Sequence, residues 1–189
     1  KYFDIPIQHI SDNILKKMNR RTNKKEIENL LNKIRKEIPN VVLRTSLIVG
    51  FPGETQEDFE ELSEFIKTAR FDKLGAFMYS KEDGTPAARL PEQINGNTKK
   101  SRYNKIMKEQ QKISSEIMKN KIGQEYEVLV EDISFDGKFL IGRTKQDVPD
   151  IDGLVFIKNE NQEDKINQFV KVIVDDVKDY DLIGNVIEK

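Results

Sequence analysis

Polar side chains lie in or just after two apolar segments of the sequence, each of which is predicted to be a strand that ends in a ligand-binding region. Gln8 follows the first segment, and Arg44 and Ser46 belong to the second, which runs into a turn. In parallel sheets and α/β barrels, ligands bind beyond the carboxyl ends of the strands. Residues 4–11 and 44–55 therefore predict a ligand site at one edge of a sheet.

The turn at residues 50–54 (Gly-Phe-Pro-Gly-Glu) adds a second part to this site. Gly50 and Gly53 let the backbone approach a ligand closely, and the following helix start offers free N–H groups to an anion. Phe51 would form an apolar wall, with Glu54 beside the helix start. By spacing alone, an ordinary strand-to-helix turn with an acid near the helix dipole is the better explanation.

The chain has one histidine, His9, and no cysteine. The imidazole could carry a proton, but a lone histidine beside a helix start is more often a structural hydrogen-bonding residue. The composition also leaves too few ligands for a zinc site and excludes disulfides within these residues.

Alternating strands and helices must position these residues in the first half of the chain. The predicted strands cover residues 2–5, 41–49 and 74–79. The predicted helices begin at the cap residues Ser11, Thr22, Thr55 and Thr98. This order predicts a parallel sheet with covering helices. Three strands are too few to close a barrel, so we expect further strand–helix units before residue 1.

The hydrophobic period changes to two after Gly123, which predicts a second, all-β domain. Asp136-Gly137 lies between two apolar segments and is a strong hairpin signal. Five short strands in the remaining residues favour a small closed barrel of the oligonucleotide-binding type. The fold class is thus α/β plus all-β, with predicted divisions at residues 1–97, 98–121 (a connecting helix) and 122–189.

The net charge of −1 hides two halves of opposite sign. Residues 1–121 contain 24 basic and 17 acidic side chains, a net charge of +7, whereas residues 122–189 contain 8 and 16, a net charge of −8. No apolar run is long enough for a membrane span, and the first residues lack the apolar core of a signal peptide. We therefore expect a cytoplasmic location and no membrane partner.

Three segments resemble the C-terminal half of the radical SAM barrel of methylthiotransferases. They are residues 48–55 (Ile-Val-Gly-Phe-Pro-Gly-Glu-Thr), 77–80 (Phe-Met-Tyr-Ser) and 84–87 (Gly-Thr-Pro-Ala). The tail resembles the TRAM domain that follows in this family, so the resemblance covers essentially the whole chain. It implies a partial TIM-type barrel followed by an OB-like antiparallel β-barrel. It also implies S-adenosylmethionine and two [4Fe–4S] clusters as cofactors, with the cysteine ligands of both clusters outside this chain.

Two further segments favour the branch of the family that modifies a ribosomal protein. They are residues 2–9 (Tyr-Phe-Asp-Ile-Pro-Ile-Gln-His) and 147–153 (Asp-Val-Pro-Asp-Ile-Asp-Gly), in which Val148 and Asp150 depart slightly from the branch's pattern. The resemblance implies methylthiolation of the β-carbon of an aspartate in protein twelve of the small ribosomal subunit. A tRNA (adenosine) methylthiotransferase and a non-catalytic acidic adaptor remain as alternatives. Without cysteines, the isolated chain is expected to be inactive.

The resemblance also implies roles toward S-adenosylmethionine. Arg44 would bind its carboxylate, although an ion pair with a neighbouring acid is the alternative. Gln8 would bind the ribose or amino-acid part, or brace its own loop, and Tyr79 would contact the cofactor or pack in the core. The residues expected to bind the cofactor are Gln8, Arg44, Ser46, Gly50, Phe51, Gly53, Glu54 and Tyr79.

The acidic charge of the second half favours a protein substrate over RNA. A domain that grips tRNA needs a positive face, because neutralisation of phosphates dominates such binding. Asp147, Asp150 and Asp152 are instead expected to bind a basic ribosomal protein or the ribosome, which makes tRNA the less favoured partner. Charge that serves solubility alone is the alternative explanation.

Overall fold

A computed structural model describes residues 1–159 and 165–187. The chain divides into two compact units, Lys1–Ile113 and Ser114–Lys189, and each is described by itself below. None of the helices in the described ranges combines the length and apolar character that a bilayer span requires.

The first unit contains a three-stranded parallel sheet in the order β1-β2-β3, as the alternation of strands and helices predicted. Its strands are β1 (Tyr2–Asp4), β2 (Val42–Val49) and β3 (Lys73–Met78). Its helices are α1 (Asp12–Lys17), α2 (Lys24–Glu37), α3 (Gln56–Ala69) and α4 (Gly96–Lys119), and a 3₁₀ turn covers Ala87–Arg89. The residues of α4 from Ser114 onward belong to the second unit. The register places Asp4 beside Arg44, and Arg44 beside Lys73.

Among the described residues, the two faces of this sheet differ in burial, and helices cover one of them. Consecutive parallel strands in sequential order, joined by right-handed crossovers, place their helices on the same face. Burial along β2 alternates accordingly. Leu43, Leu47 and Val49 are fully buried, whereas Arg44 and Ser46, which point the other way, are partly exposed. The predicted site residues of β2 therefore lie on the face opposite these helices, hereafter the open face.

The helix starts confirm one predicted cap and correct another. Thr55 caps α3 in a capping box, in which its side chain accepts from the Asp58 amide and the Asp58 carboxylate accepts from the Thr55 amide. The prediction that Thr22 caps α2 was wrong. Asn23 caps this helix instead, in a capping box with Glu26, because its amide oxygen reaches the Glu26 N–H at 3.0 Å.

The buried side of α4 differs from a simple apolar stripe. Ile106 and Ile113 are buried as their spacing suggests, but Arg102 and Gln110 are buried with them. Gln110 donates from Nε2 to the Phe71 carbonyl at 2.9 Å. Buried polar groups of this kind are retained where each finds a specific hydrogen-bond partner, which helical periodicity does not reveal.

The second unit is a closed five-stranded barrel, in agreement with the predicted OB-like fold. Its strands are β4 (Glu125–Ile133), β5 (Phe139–Thr144), β6 (Val155–Lys158), β7 (Phe169–Lys178) and β8 (Asp181–Val186). They close in the order β4-β5-β6-β8-β7, with β6 and β8 parallel and the other neighbours antiparallel. The barrel core is formed by Val128, Val130, Leu140, Val155, Ile157, Val172, Val174, Leu182 and, from the end of α4, Met118.

The hairpin between β4 and β5 turns at Asp136-Gly137, as predicted. The apolar segment before this turn predicts a strand up to Phe135, but Phe135 lies outside β4. β4 ends at Ile133, and the Phe135 side chain is fully exposed. The Ser134 hydroxyl donates to Asp136 and accepts from the Phe139 amide at 2.9 Å. These bonds start the turn at Ser134, so that the strand ends before Phe135.

Candidate functional site

The end of β1 is joined to β2 through Gln8. The Gln8 amide donates to the Ser46 carbonyl at 2.9 Å, and the Ile48 amide donates to the Gln8 carbonyl at 2.8 Å. Gln8 adopts a left-handed backbone with φ of 69°. Such a conformation costs about 1–2 kcal/mol for a residue with a side chain and is held only when the surroundings determine it. Gln8 is therefore held beside Ser46, three residues before β2 ends.

Arg44 lies on the open face in an ion pair with Asp4. Its Nη1 is 2.5 Å from Asp4 Oδ2, and both residues occupy the same register position on adjacent strands. This pairing is the alternative that the sequence left open for Arg44. A guanidinium has five N–H donors, so one contact to Asp4 does not exhaust its capacity for a second carboxylate.

The Gly50–Glu54 loop is held from within by the Glu54 carboxylate. Glu54 is only 2% exposed, and its Oε2 accepts from the Gly50 and Phe51 amides at 2.6 and 3.2 Å. Burial raises the pKa of Glu54, although Arg102 and the two amides act against that rise. The structure therefore places Glu54 beneath the loop rather than on its outer surface.

Gly50 and Gly53 are required by the shape of this loop. Both have positive φ, 72° and 75°, where a side chain would be strained. A Cβ at Gly50 would also lie 2.4 Å from Cγ of Lys99, and one at Gly53 would lie 2.1 Å from Nζ of Lys17. The glycines thus give room to two lysine side chains.

Tyr79 and Phe51 meet at the end of β3. Their rings are 5.1 Å apart in an edge-on arrangement, and the Tyr79 amide donates to the Val49 carbonyl at 2.9 Å. Lys99 donates to the Tyr79 carbonyl at 2.8 Å and lies 4.9 Å from the ring centroid. The buried Tyr79 hydroxyl has no hydrogen-bond partner within the described part of the chain. The site thus retains one polar atom for which a ligand could provide the partner.

His9 is a buried structural residue, as its setting in the sequence suggested. Its Nδ1 accepts from the Ser11 amide at 3.0 Å, so the neutral ring carries its proton on Nε2. Burial lowers the pKa of His9 to about 4, assisted by Arg102 and opposed by Asp58. The Nε2 atom faces Glu54 Oε2 at 3.8 Å, beyond hydrogen-bonding distance. The ring is therefore neutral near pH 7.

Lys99 and Arg102, both on α4, are site residues that the sequence did not predict. Arg102 contacts Glu54 in the loop, which lies 48 residues earlier in the chain. Lys99 contacts Tyr79 just after the third strand, 20 residues earlier in the chain. In the sequence, each is one basic residue among many on a long polar helix. No spacing marks them, because the partners are fixed only when α4 packs beside the loop.

The carboxyl edge of the sheet and the open face beside it, hereafter together the open edge, fit S-adenosylmethionine better than an iron–sulfur cluster. At the carboxyl edge, Gln8 pairs with Leu47, and the Tyr79 ring, whose hydroxyl has no partner among the described residues, lies beside Phe51. Arg44 and Ser46 lie on the open face, five and three residues before the end of β2. A [4Fe–4S] cluster needs cysteine thiolates, and the chain has none. The described residues also contain no group of three or more metal-binding side chains.

The three predicted substrate residues all lie in the loop between β5 and β6, residues 145–154. Two of them shape that loop: Asp147 accepts from the Thr144 hydroxyl at 2.6 Å, and Asp152 accepts from the Val148 amide at 2.8 Å. Asp150 is exposed at its tip with φ of 62°. Of the three carboxylates, that of Asp150 is thus the one presented most openly to solvent.

The β5–β6 loop packs against the turn between β7 and β8. The Leu154 amide donates to Asp181 Oδ1 at 2.8 Å, and a Cβ at Gly153 would lie 1.9 Å from the Tyr180 carbonyl oxygen. Ile151 and Tyr180 remain 60% and 52% exposed. Together with the exposed Asp150 and Asp179, they form an acidic surface with two apolar side chains, hereafter the acidic loop surface.

Family models match both units of the chain. The model of the radical SAM superfamily matches residues 1–66, and the model of the TRAM domain matches residues 122–187. The ribosomal protein uS12 methylthiotransferase RimO of Alkaliphilus oremlandii is 57% identical over 183 residues, which are 97% of this chain and 42% of that protein. The chain resembles the radical SAM methylthiotransferases.

Other relatives of this family agree in name and extent. The RimO proteins of Clostridium perfringens and Geobacter sulfurreducens are 52% and 48% identical over 97% and 99% of this chain. The matched regions are 40% and 42% of those proteins. The chain thus spans about two fifths of the length of these methylthiotransferases.

Proposed function

We propose that this chain is the C-terminal part of a cytoplasmic radical SAM methylthiotransferase that acts on the β-carbon of an aspartate in ribosomal protein uS12. One structural observation carries this proposal. Gln8, Phe51 and Tyr79 follow three adjacent strands at the carboxyl edge of the sheet, and the Gln8 backbone is bonded to that of Ser46 in the middle strand. This is where α/β sheets bind ligands. Relatives named uS12 methylthiotransferases match nearly the whole chain.

The open edge would hold S-adenosylmethionine, which when bound is the source of the radical that removes hydrogen from the substrate. Arg44 would bind its carboxylate, with Asp4 keeping the guanidinium in place. Gln8 and Ser46 would bind polar atoms beside it. Phe51 and Tyr79 would supply an apolar wall that excludes water. Both cluster sites would lie in residues outside this chain, since it has no cysteine.

The acidic loop surface would bind the substrate. uS12 is a ribosomal protein and is expected to be basic. Opposite charges on two proteins steer their association. Asp150 and Asp179 would provide the negative rim, and Ile151 and Tyr180 the desolvated centre of the contact. Asp147 and Asp152 would contribute by fixing the loop that presents Asp150.

A gene deletion in the source organism tests the reaction. Mass spectrometry of uS12 should show a methylthio group on one aspartate in the parent strain and none in the deletion strain. Complementation with the complete gene should restore it, and complementation with Arg44→Met should not. Unmodified uS12 in the parent strain, with a methylthio group lost from tRNA on deletion, would favour the RNA-modifying alternative.

A binding experiment tests the acidic loop surface. The Asp150→Asn/Asp179→Asn double variant of the complete protein should bind purified uS12 less tightly, by about tenfold at low salt. The Glu125→Gln/Glu127→Gln variant removes the same net charge from exposed positions of β4 and should bind almost as tightly as the parent. Equal losses in both variants would show that only net charge matters.

A further inference from the structure

Arg102 is a buried cation to which the proposed function assigns no role. It is 7% exposed and extends from α4 to the start of α3. Its Nη1 donates to Glu54 Oε1 at 2.8 Å and to the Glu54 carbonyl at 3.0 Å, and its Nη2 donates to the Thr55 carbonyl at 3.2 Å. One side chain therefore holds three oxygens of two consecutive residues.

The Glu54 carboxylate connects Arg102 to the backbone of the loop that begins at Gly50. While Oε1 accepts from Arg102, Oε2 accepts from the Gly50 and Phe51 amides. Both amides belong to the segment that would face S-adenosylmethionine. A continuous path of hydrogen bonds thus runs from α4 through Arg102 and Glu54 to the backbone of that segment.

The path needs the geometry of arginine. The guanidinium is a planar fork that addresses several oxygens from fixed directions, whereas the ammonium of lysine is a point charge on a flexible stem. Removing the cation would leave the Glu54 carboxylate buried without its ionic partner, which is costly in a site that excludes water. The carboxylate would then take up a proton or turn toward solvent, and either change would weaken its hold on the two amides.

We propose that Arg102 is a positioning residue for the cofactor: through Glu54 it fixes the Gly50–Phe51 backbone in the shape that receives S-adenosylmethionine. This inference rests on the proposed function of the open edge. It also assigns Glu54 an indirect role, since both of its carboxylate oxygens are used beneath the loop.

The test compares Arg102→Met, Arg102→Lys and Arg35→Met in the complete, cluster-containing protein. Arg35 is a matched control because its guanidinium also holds backbone carbonyls, those of Ala69 and Arg70, away from the loop. The Kd of S-adenosylmethionine is measured by equilibrium dialysis. Hydrogen–deuterium exchange of the segment 48–55 is measured without cofactor.

Arg102→Met should raise the Kd about tenfold or more and speed exchange at the Gly50 and Phe51 amides. The Gly53 amide, which donates to the Glu92 carbonyl, should keep its protection. Arg102→Lys should fall between Arg102→Met and the parent. Arg35→Met should leave both readouts at parental values.

Two outcomes separate the possible failures. Parental exchange and a parental Kd in Arg102→Met would overturn the positioning role. A parent protein that binds no S-adenosylmethionine would overturn the proposed function. The exchange at Gly50 and Phe51 would still decide whether Arg102 fixes the loop.

Discussion

Lowering the pH should destabilise the first unit through His9. The pKa of this buried imidazole is lowered from 6.5 to about 4, so the unfolded chain takes up a proton at a higher pH than the folded chain does. Stability is therefore fully present above pH 6.5 and is lost as the pH falls toward 4. A shift of about 2.5 units at about 1.4 kcal/mol each gives a total loss of about 3 kcal/mol.

The His9→Asn variant isolates this contribution from those of its neighbours. Its amide oxygen can replace Nδ1 as the acceptor of the Ser11 N–H, but it does not titrate. Glu54, whose pKa is raised, and Asp58, whose pKa is lowered, titrate in both proteins and cancel in the comparison.

Urea unfolding followed by circular dichroism gives the free energy of unfolding of both proteins at several pH values. The free energy of unfolding of the parent should exceed that of the variant by the largest amount at about pH 7.5, because the variant loses packing. This difference should shrink by about 3 kcal/mol by about pH 4. An advantage that does not change with pH would refute the argument, since it would mean that His9 titrates alike in the folded and unfolded states.

Four further substitutions can be followed by calorimetry, three in the barrel and one, Gly96→Ala, at the start of α4. Gly153→Ala should lower the melting temperature of the barrel markedly, because the new Cβ would meet the Tyr180 backbone at 1.9 Å. Gly96→Ala, with open space around it, should be nearly neutral. Ile157→Val should cost about 1 kcal/mol, because it removes a methyl group from the buried core. Phe135→Ala should change the stability by less than about 0.5 kcal/mol, because this ring is exposed. A large loss for Phe135→Ala or Gly96→Ala would contradict these placements.

The order of elements was predictable from the sequence because it depends on local period. The apolar residues of α3 recur at helical spacing, and the strands of the second unit alternate with a period of two, so both folds followed. The position of the Asp136-Gly137 turn was predictable from its residue types, because glycine readily adopts the positive φ that such turns require. The sequence predicts Thr22 as the cap of α2 where the structure has Asn23, because both residue types cap helices and only the path of the chain decides between them.

The candidate site was only partly predictable. The glycines and strand ends marked the loop, since turns require particular residue types. Arg102 and Lys99 could not be found, because their partners are distant in sequence. Nor could the sequence show that Glu54 lies beneath the loop, or that Asp147 and Asp152 hold backbone amides while Asp150 is exposed. Those distinctions depend on where each carboxylate points.

The substrate of the complete protein can be tested in one competition. The purified protein, with its clusters and S-adenosylmethionine, is given equal amounts of uS12 and unmodified tRNA, and both are analysed by mass spectrometry. We expect one aspartate of uS12 to gain a methylthio group while the tRNA remains unchanged. A methylthio group on the tRNA, with uS12 unmodified, would contradict the proposed function and the role given to the acidic second unit.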